Sequence, residues 1–217
     1  MKKRSVWFRG VLAGLAASAF LLTHAARNVA WAAGNHAFTG ESKCEDCHDA
    51  KHEALKDIIG PNGQPGANPV DVWNQDKHHD AFNNLTNDWG KQAAAKANVS
   101  DPQADGSMCL KCHATGVGGN NPPDPSEGVS CEACHGPAAD WVPKDKHGEI
   151  GNDASKMTAA VALGLIDLRK MDVRQANCQT CHVKDVSLRP CYRPSEKPFD
   201  VRNDSKFRHW RNNIPAI

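Results

Sequence analysis

Four times the chain places a histidine directly after the second cysteine of a Cys-x-x-Cys pair. The units are Cys44, Cys47 and His48 in CEDCH; Cys109, Cys112 and His113 in CLKCH; Cys131, Cys134 and His135 in CEACH; and Cys178, Cys181 and His182 in CQTCH. Eight of the nine cysteines fall in these units, and Cys191 stands alone. Three chemistries use such a pair. Zinc takes paired thiolates but asks for no histidine at the next position. Thiol–disulfide exchange expects a thioredoxin-like βαβ context, which the pattern here does not offer. Covalent c-type haem attachment uses all three residues: two thiols add to the vinyl groups as thioethers, and the adjacent histidine takes the proximal position on iron. Four histidines in the same register select the last reading. The expected cofactor is haem c, four groups covalently bound, with His48, His113, His135 and His182 as proximal ligands.

A low-spin electron carrier takes a second strong ligand on each iron, whereas an open position admits small molecules. His24 belongs to the N-terminal segment discussed below. Six histidines then remain outside the motifs: His36, His52, His78, His79, His147 and His209. His78, His147 and His209 are the distal candidates. His78 and His79 lie in VWNQDKHHDAFNNL, which reads as a helix with Trp73, His78, Ala81, Phe82 and Leu85 near one face. His147 follows the third motif in WVPKDKHGEI, and His209 lies in FRHWRNN near the C-terminus. His36 and His52 are weaker candidates. His52 comes four residues after His48 and on a helix would face the same side.

These residues need elements to hold them. Residues 33–57 are expected to carry the first motif on a short helix, and 58–72 (IIGPNGQPGANPVDV) to form a Gly/Pro/Asn loop. A helix around His78 follows, then an Ala/Lys-rich helix near 88–98. The second and third motifs start only 22 residues apart and are bridged by ATGVGGNNPPDPSEGVS, so their haems should be close neighbours. Residues 155–171 read as the best helix, with Asp153 or Ser155 as N-cap. Its apolar stripe takes in Met157, Val161, Leu165 and Leu168. Met157 and Met171 read as core residues rather than axial ligands. The tail from residue 183 reads as irregular.

Composition bounds the rest. The N-terminus has a basic start (Lys2, Lys3, Arg4, Arg9), a 12-residue apolar run from Val11 to Leu22, and Ala30-Trp31-Ala32 as a small-x-small cleavage pattern. This predicts an export signal over residues 1–32 and a tetrahaem domain over 33–217. The run is short for a membrane span, which needs about 20 apolar residues. The 185 residues after it carry 21 basic and 25 acidic side chains, a formal charge of −4. Nucleic acid selects basic surfaces and is excluded as a partner, membrane association is not expected, and a basic electron-transfer partner fits the charge. With one tyrosine, six phenylalanines and a mean hydropathy of −0.59, the polypeptide has little material for a full core. Four haems, about one per 46 residues, would supply it. The expected fold is mainly α with long irregular connections: a small multihaem cytochrome c whose four covalent haems form most of the core.

The chain resembles the cytochrome c-554 family, small tetrahaem cytochromes best known from ammonia-oxidising bacteria. The resemblance covers roughly residues 37–209. It rests on FTGESKCEDCH, VWNQDKHHDAF, MCLKCHATGVGG, GVSCEACHGPAADW with His147 downstream, and the closing CQTCH with KPFDV. On that pattern His78 and His147 match distal-ligand positions, and the match for His209 is loose. The resemblance implies periplasmic electron transfer in nitrogen metabolism, from a donor such as a hydroxylamine-oxidising enzyme to downstream cytochromes or a quinone-linked acceptor. It also implies a five-coordinate haem above His113, open to nitric oxide. The chain departs from the family by lacking a histidine in RKMDVRQAN before the fourth motif and by carrying Cys191, a candidate for an intermolecular disulfide or a buried free thiol. The leading reading is a multihaem electron carrier of the periplasm or extracellular space rather than an enzyme. Two alternatives are a haem enzyme acting on nitric oxide or hydroxylamine at an open iron, and a protomer of an extracellular cytochrome filament.

Overall fold

Seven short α-helices, none longer than nine residues, make up the regular structure of the described residues. The computed structural model describes residues 36–48, 69–143, 147, 153–183, 191 and 199–200. The export segment 1–32, most of the 58–72 loop, His52 and His209 lie outside them. The helices are α1 Ser42–His48, α2 Pro69–Asn74, α3 Asp88–Lys96, α4 Leu110–His113, α5 Cys131–His135, α6 Ala154–Ala162 and α7 Met171–Cys178. Among the described residues there is no strand, only an isolated parallel bridge between Ala37 and Asn120.

Local chemistry sets the helix ends. Pro69 opens α2, where its missing N–H costs nothing. Asn87 caps α3 by accepting from the Gly90 amide at 2.8 Å. Asn98, at φ 55°, closes α3 in a Schellman turn, with Val99 N donating to Ala94 O at 2.9 Å. Asp153 is the N-cap of α6 and accepts from Ser155 N at 2.8 Å and Lys156 N at 3.3 Å.

Three expectations need correcting. Pro69–Val72 belong to helix α2 rather than to the loop. The helix around His78 stops at Asn74. Asp76 explains the stop: its Oδ1 accepts from His78 N at 2.9 Å and contacts His78 Nδ1 at 2.7 Å, a local arrangement that competes with helical bonding. A 3₁₀ turn, Asn83–Thr86, follows, and Trp73, Ala81 and Leu85 are still buried. The long helix over 155–171 is two helices. Gly164, at φ +105°, ends α6 with a Schellman turn in which Leu165 N reaches Ala160 O at 3.0 Å. Val161 is exposed, while Met157 and Leu165 are buried. Met171 opens α7, which ends on Cys178 of the fourth motif.

The apolar core is split. One cluster joins Ala138, Trp141, Met157, Ala160 and Leu165; a second joins Leu85, Leu110 and Ala114. Alanine is prominent in both, so each is small. The described side chains therefore surround the motifs without forming one continuous core between them.

Candidate haem centres

Each motif sits on or against a short helix. The first lies within α1, and the third is α5 itself. In the second, Cys109 caps α4. In the fourth, α7 ends on Cys178, and Cys181 and His182 continue in a turn where His182 N donates to Cys178 O at 2.9 Å. A helical turn after the first cysteine brings the second cysteine and the histidine onto the same side. That is what gripping one porphyrin by two thiols and one imidazole requires.

Two of the proximal histidines face a predicted distal one. The His48 and His147 rings are 5.7 Å apart by centroid, with planes at 75°. The His78 and His182 rings are 5.9 Å apart, with planes at 79°. Two metal–nitrogen bonds of about 2 Å each, with the nitrogen-to-centre distance of each ring, give roughly 6 Å across an iron. His78 Nδ1 is turned onto the Asp76 carboxylate, so Nε2 is the nitrogen that would face a metal; such second contacts orient ligating imidazoles. Trp141 lies 5.5 Å from His147, and Phe199 stacks on His182 at 4.6 Å. Burial pushes the His147 pKa down and so favours the neutral, ligating form. His113 Nδ1 lies 2.6 Å from Ala81 O, which fixes its tautomer and leaves Nε2 free of the backbone. His79 packs edge-on against Trp73, and His36 Nδ1 lies 2.6 Å from Asp140 Oδ2.

The motifs also meet one another. The thiols of Cys44 and Cys131 are within hydrogen-bond reach. That bond, reinforced by burial, pushes the Cys44 pKa up, and it pulls that of Cys131 down against the opposing effect of burial. Cys134, half-buried, is pushed up to about 12 by burial, with the thiols of Cys178, Cys131 and Cys181 adding to the effect. Asn177, just before the fourth motif, donates to Ala133 O at 3.4 Å and Cys134 O at 3.5 Å. Cys181 Sγ approaches Lys111 O in the second motif at 3.7 Å. Between the second and third motifs, Thr115 Oγ1 donates to Gly128 O at 2.9 Å and accepts from Ser130 N at 2.8 Å. The short bridge thus closes into a buried polar contact, and the third motif or the residues beside it meet the surroundings of each of the others.

One residue of this contact set was missed in the sequence. Glu132, the second residue of CEACH, is 1 % exposed. It takes backbone amides from Thr39, Gly40 and Ala138, at 2.7 to 3.1 Å. It occupies one of the two unspecified positions of Cys-x-x-Cys, and two of its partners lie more than 90 residues away, so no local signal marks it.

Haem c fits these residues. The two histidine pairs have the spacing an iron needs. The Trp141 indole nitrogen is buried beside His147 with no acceptor among the described residues, a donor placed where a haem carboxylate could meet it.

Comparison with known proteins gives three matches. A family model described as cytochrome c554 and c-prime matches residues 43–136, a span holding the first three motifs. The curated cytochrome c-554 of Nitrosomonas europaea is 25% identical over 222 residues, covering 95% of this chain and 84% of that protein. The solved structure of the reduced state of cytochrome c554 from Nitrosomonas europaea is 23% identical, covers 79% of this chain and 78% of its own, and superposes with a TM-score of 0.46.

The protein is a c-type cytochrome that carries covalently bound haem c and moves electrons between redox partners. The chain is similar to cytochrome c554 in the span of the family match and along most of its length to the curated relative. No helix of the described residues is long and apolar enough to cross a membrane.

Proposed function

We propose that the chain is an exported tetrahaem electron carrier, with its signal over residues 1–32 and its haem domain over 33–217. Cys44, Cys47 and His48 hold the first haem; Cys109, Cys112 and His113 the second; Cys131, Cys134 and His135 the third; Cys178, Cys181 and His182 the fourth. His147 completes the iron on His48, and His78 completes the iron on His182. His209 is the candidate for a further iron. The observation that carries this reading is the pair of ring separations, 5.7 and 5.9 Å, each joining a motif histidine to a histidine far from it in sequence.

When bound, haem supplies a one-electron couple. The polypeptide fixes each porphyrin and shields it, so that electrons pass between neighbouring groups without large conformational change. The compartment is the periplasm, since covalent haem attachment and the export signal agree on it. The resemblance supports a role in nitrogen-compound (hydroxylamine or nitric oxide) metabolism, between a hydroxylamine-oxidising donor and a downstream cytochrome or quinone-linked acceptor. Intact-mass analysis of the mature protein should find four haems and no residues 1–32. H147A and H78A should each convert one low-spin ferric haem to high-spin, as read by electron paramagnetic resonance. Unchanged spectra in both variants would overturn the ligand assignment.

A further inference from the structure

Glu132 is a charge placed where a protein interior rarely keeps one. Its side chain is 1 % exposed, inside the third motif between Cys131 and Cys134. Oε1 takes the Ala138 amide at 2.7 Å, Oε2 takes the Gly40 amide at 2.9 Å, and the Thr39 amide is shared between them at 3.1 Å. An ionised carboxylate only accepts, and all three partners donate, so this pocket is shaped for an anion. Among the described residues no lysine or arginine pairs with it. A charge at this depth is screened far less than one at the surface, and its field extends into the low-dielectric interior.

We propose that Glu132 lowers the reduction potential of the haem on the third motif by acting as a fixed buried negative charge. The inference rests on the assignment of that haem to Cys131, Cys134 and His135. A nearby anion stabilises the ferric state, which carries one more positive charge than the ferrous state. Burial and net charge around a haem are among the levers that set its potential. The same carboxylate also ties residues 39 and 40, just ahead of the first motif, to the third, so a purely structural clasp is the competing account.

Two matched pairs separate charge from clasp: wild type against E132Q at full side-chain length, and E132D against E132N one methylene shorter. Each purified protein is titrated potentiometrically at constant pH, and haem per polypeptide is counted on the same sample. Within each pair the neutral member should raise one midpoint by at least a tenfold change in the oxidised-to-reduced ratio, about 59 mV for one electron. If one neutral variant fails to mature, the other pair still reads the charge. Equal midpoints within each pair, or a downward shift in the neutral member, would overturn the proposal. A wild-type count below four haems would instead count against the attachment assignment, so the two failures remain distinct.

Discussion

The first and third motifs share the same pattern, yet the protein treats them differently. Helix α1 buries none of its residues, and its Lys43–Asp46 pair, at 3.6 Å, lies between side chains 62% and 66% exposed. Helix α5 buries Glu132 and Ala133; Glu132 ties it to Gly40 ahead of the first motif, its N-cap Ser130 bonds Thr115 just past the second, and Ala133 takes a bond from Asn177 just before the fourth. One motif stands at the rim and the other at the hub. Four equivalent-looking cofactor anchors therefore need not contribute equally to the fold: the one whose surroundings are shared sets the arrangement of the rest.

The strongest way to break this comparison is to remove an anchor. C131A/C134A should leave no mature protein accumulating, because the hub loses the group it is packed around. C44A/C47A should mature with one haem in four missing. Haem-to-protein ratios from pyridine haemochrome spectra and intact mass read both. Equal loss in the two variants would abolish the distinction between rim and hub.

Backbone crowding gives the next contrast. Gly136 follows the third motif at φ +83°, and a Cβ there would stand 2.2 Å from Gly164 O. G136A should destabilise the holoprotein by about 3 kcal/mol. Gly106, at φ +77°, has nothing within 4 Å of its Cβ position. G106A should cost only the conformational strain, about 1 kcal/mol. Thermal unfolding followed in the haem absorption band ranks them.

Replacing Thr115 by Val strips the buried Ser130 amide and Gly128 carbonyl of their shared hydroxyl, at 2.8 and 2.9 Å. Unfolding by denaturant should show a loss of about 2 kcal/mol.

The smallest effect belongs to the rim. Burial first, then Glu45 and Glu127, raise the Glu41 pKa from 4.5 to about 7, with His79 opposing. The folded state therefore holds a proton that the unfolded state releases earlier. This contribution favours folding below pH 4.5 and is lost as pH rises from about 4.5 to about 7. E41Q should flatten the fall in melting temperature across that window. An unchanged pH profile in E41Q would remove Glu41 as its source.

Much of the site was legible because its signals are local. The four motifs are five-residue patterns, and Asp153 caps the helix start where a short acceptor before an apolar run predicts it. The burial of Trp73, Ala81 and Leu85 followed the apolar spacing, even though Asp76 divides the helix that was to carry them. What sequence periodicity did not reveal depends on distant partners. Gly164 breaks the longest expected helix where its carbonyl packs against Gly136, which permits that approach only for want of a side chain. Glu132 finds Thr39 and Gly40 across more than 90 residues. The pairing of His78 with His182 likewise joins residues more than 100 positions apart, and neither local sequence specifies the other.

The central claim is that irons stand between His48 and His147 and between His78 and His182. A low-temperature electron paramagnetic resonance spectrum of the fully oxidised wild-type protein tests it most directly. At least two low-spin ferric haems are predicted, with the strongly anisotropic signals expected for ring planes crossed at 75° and 79°. A spectrum containing only high-spin ferric haem would contradict the account.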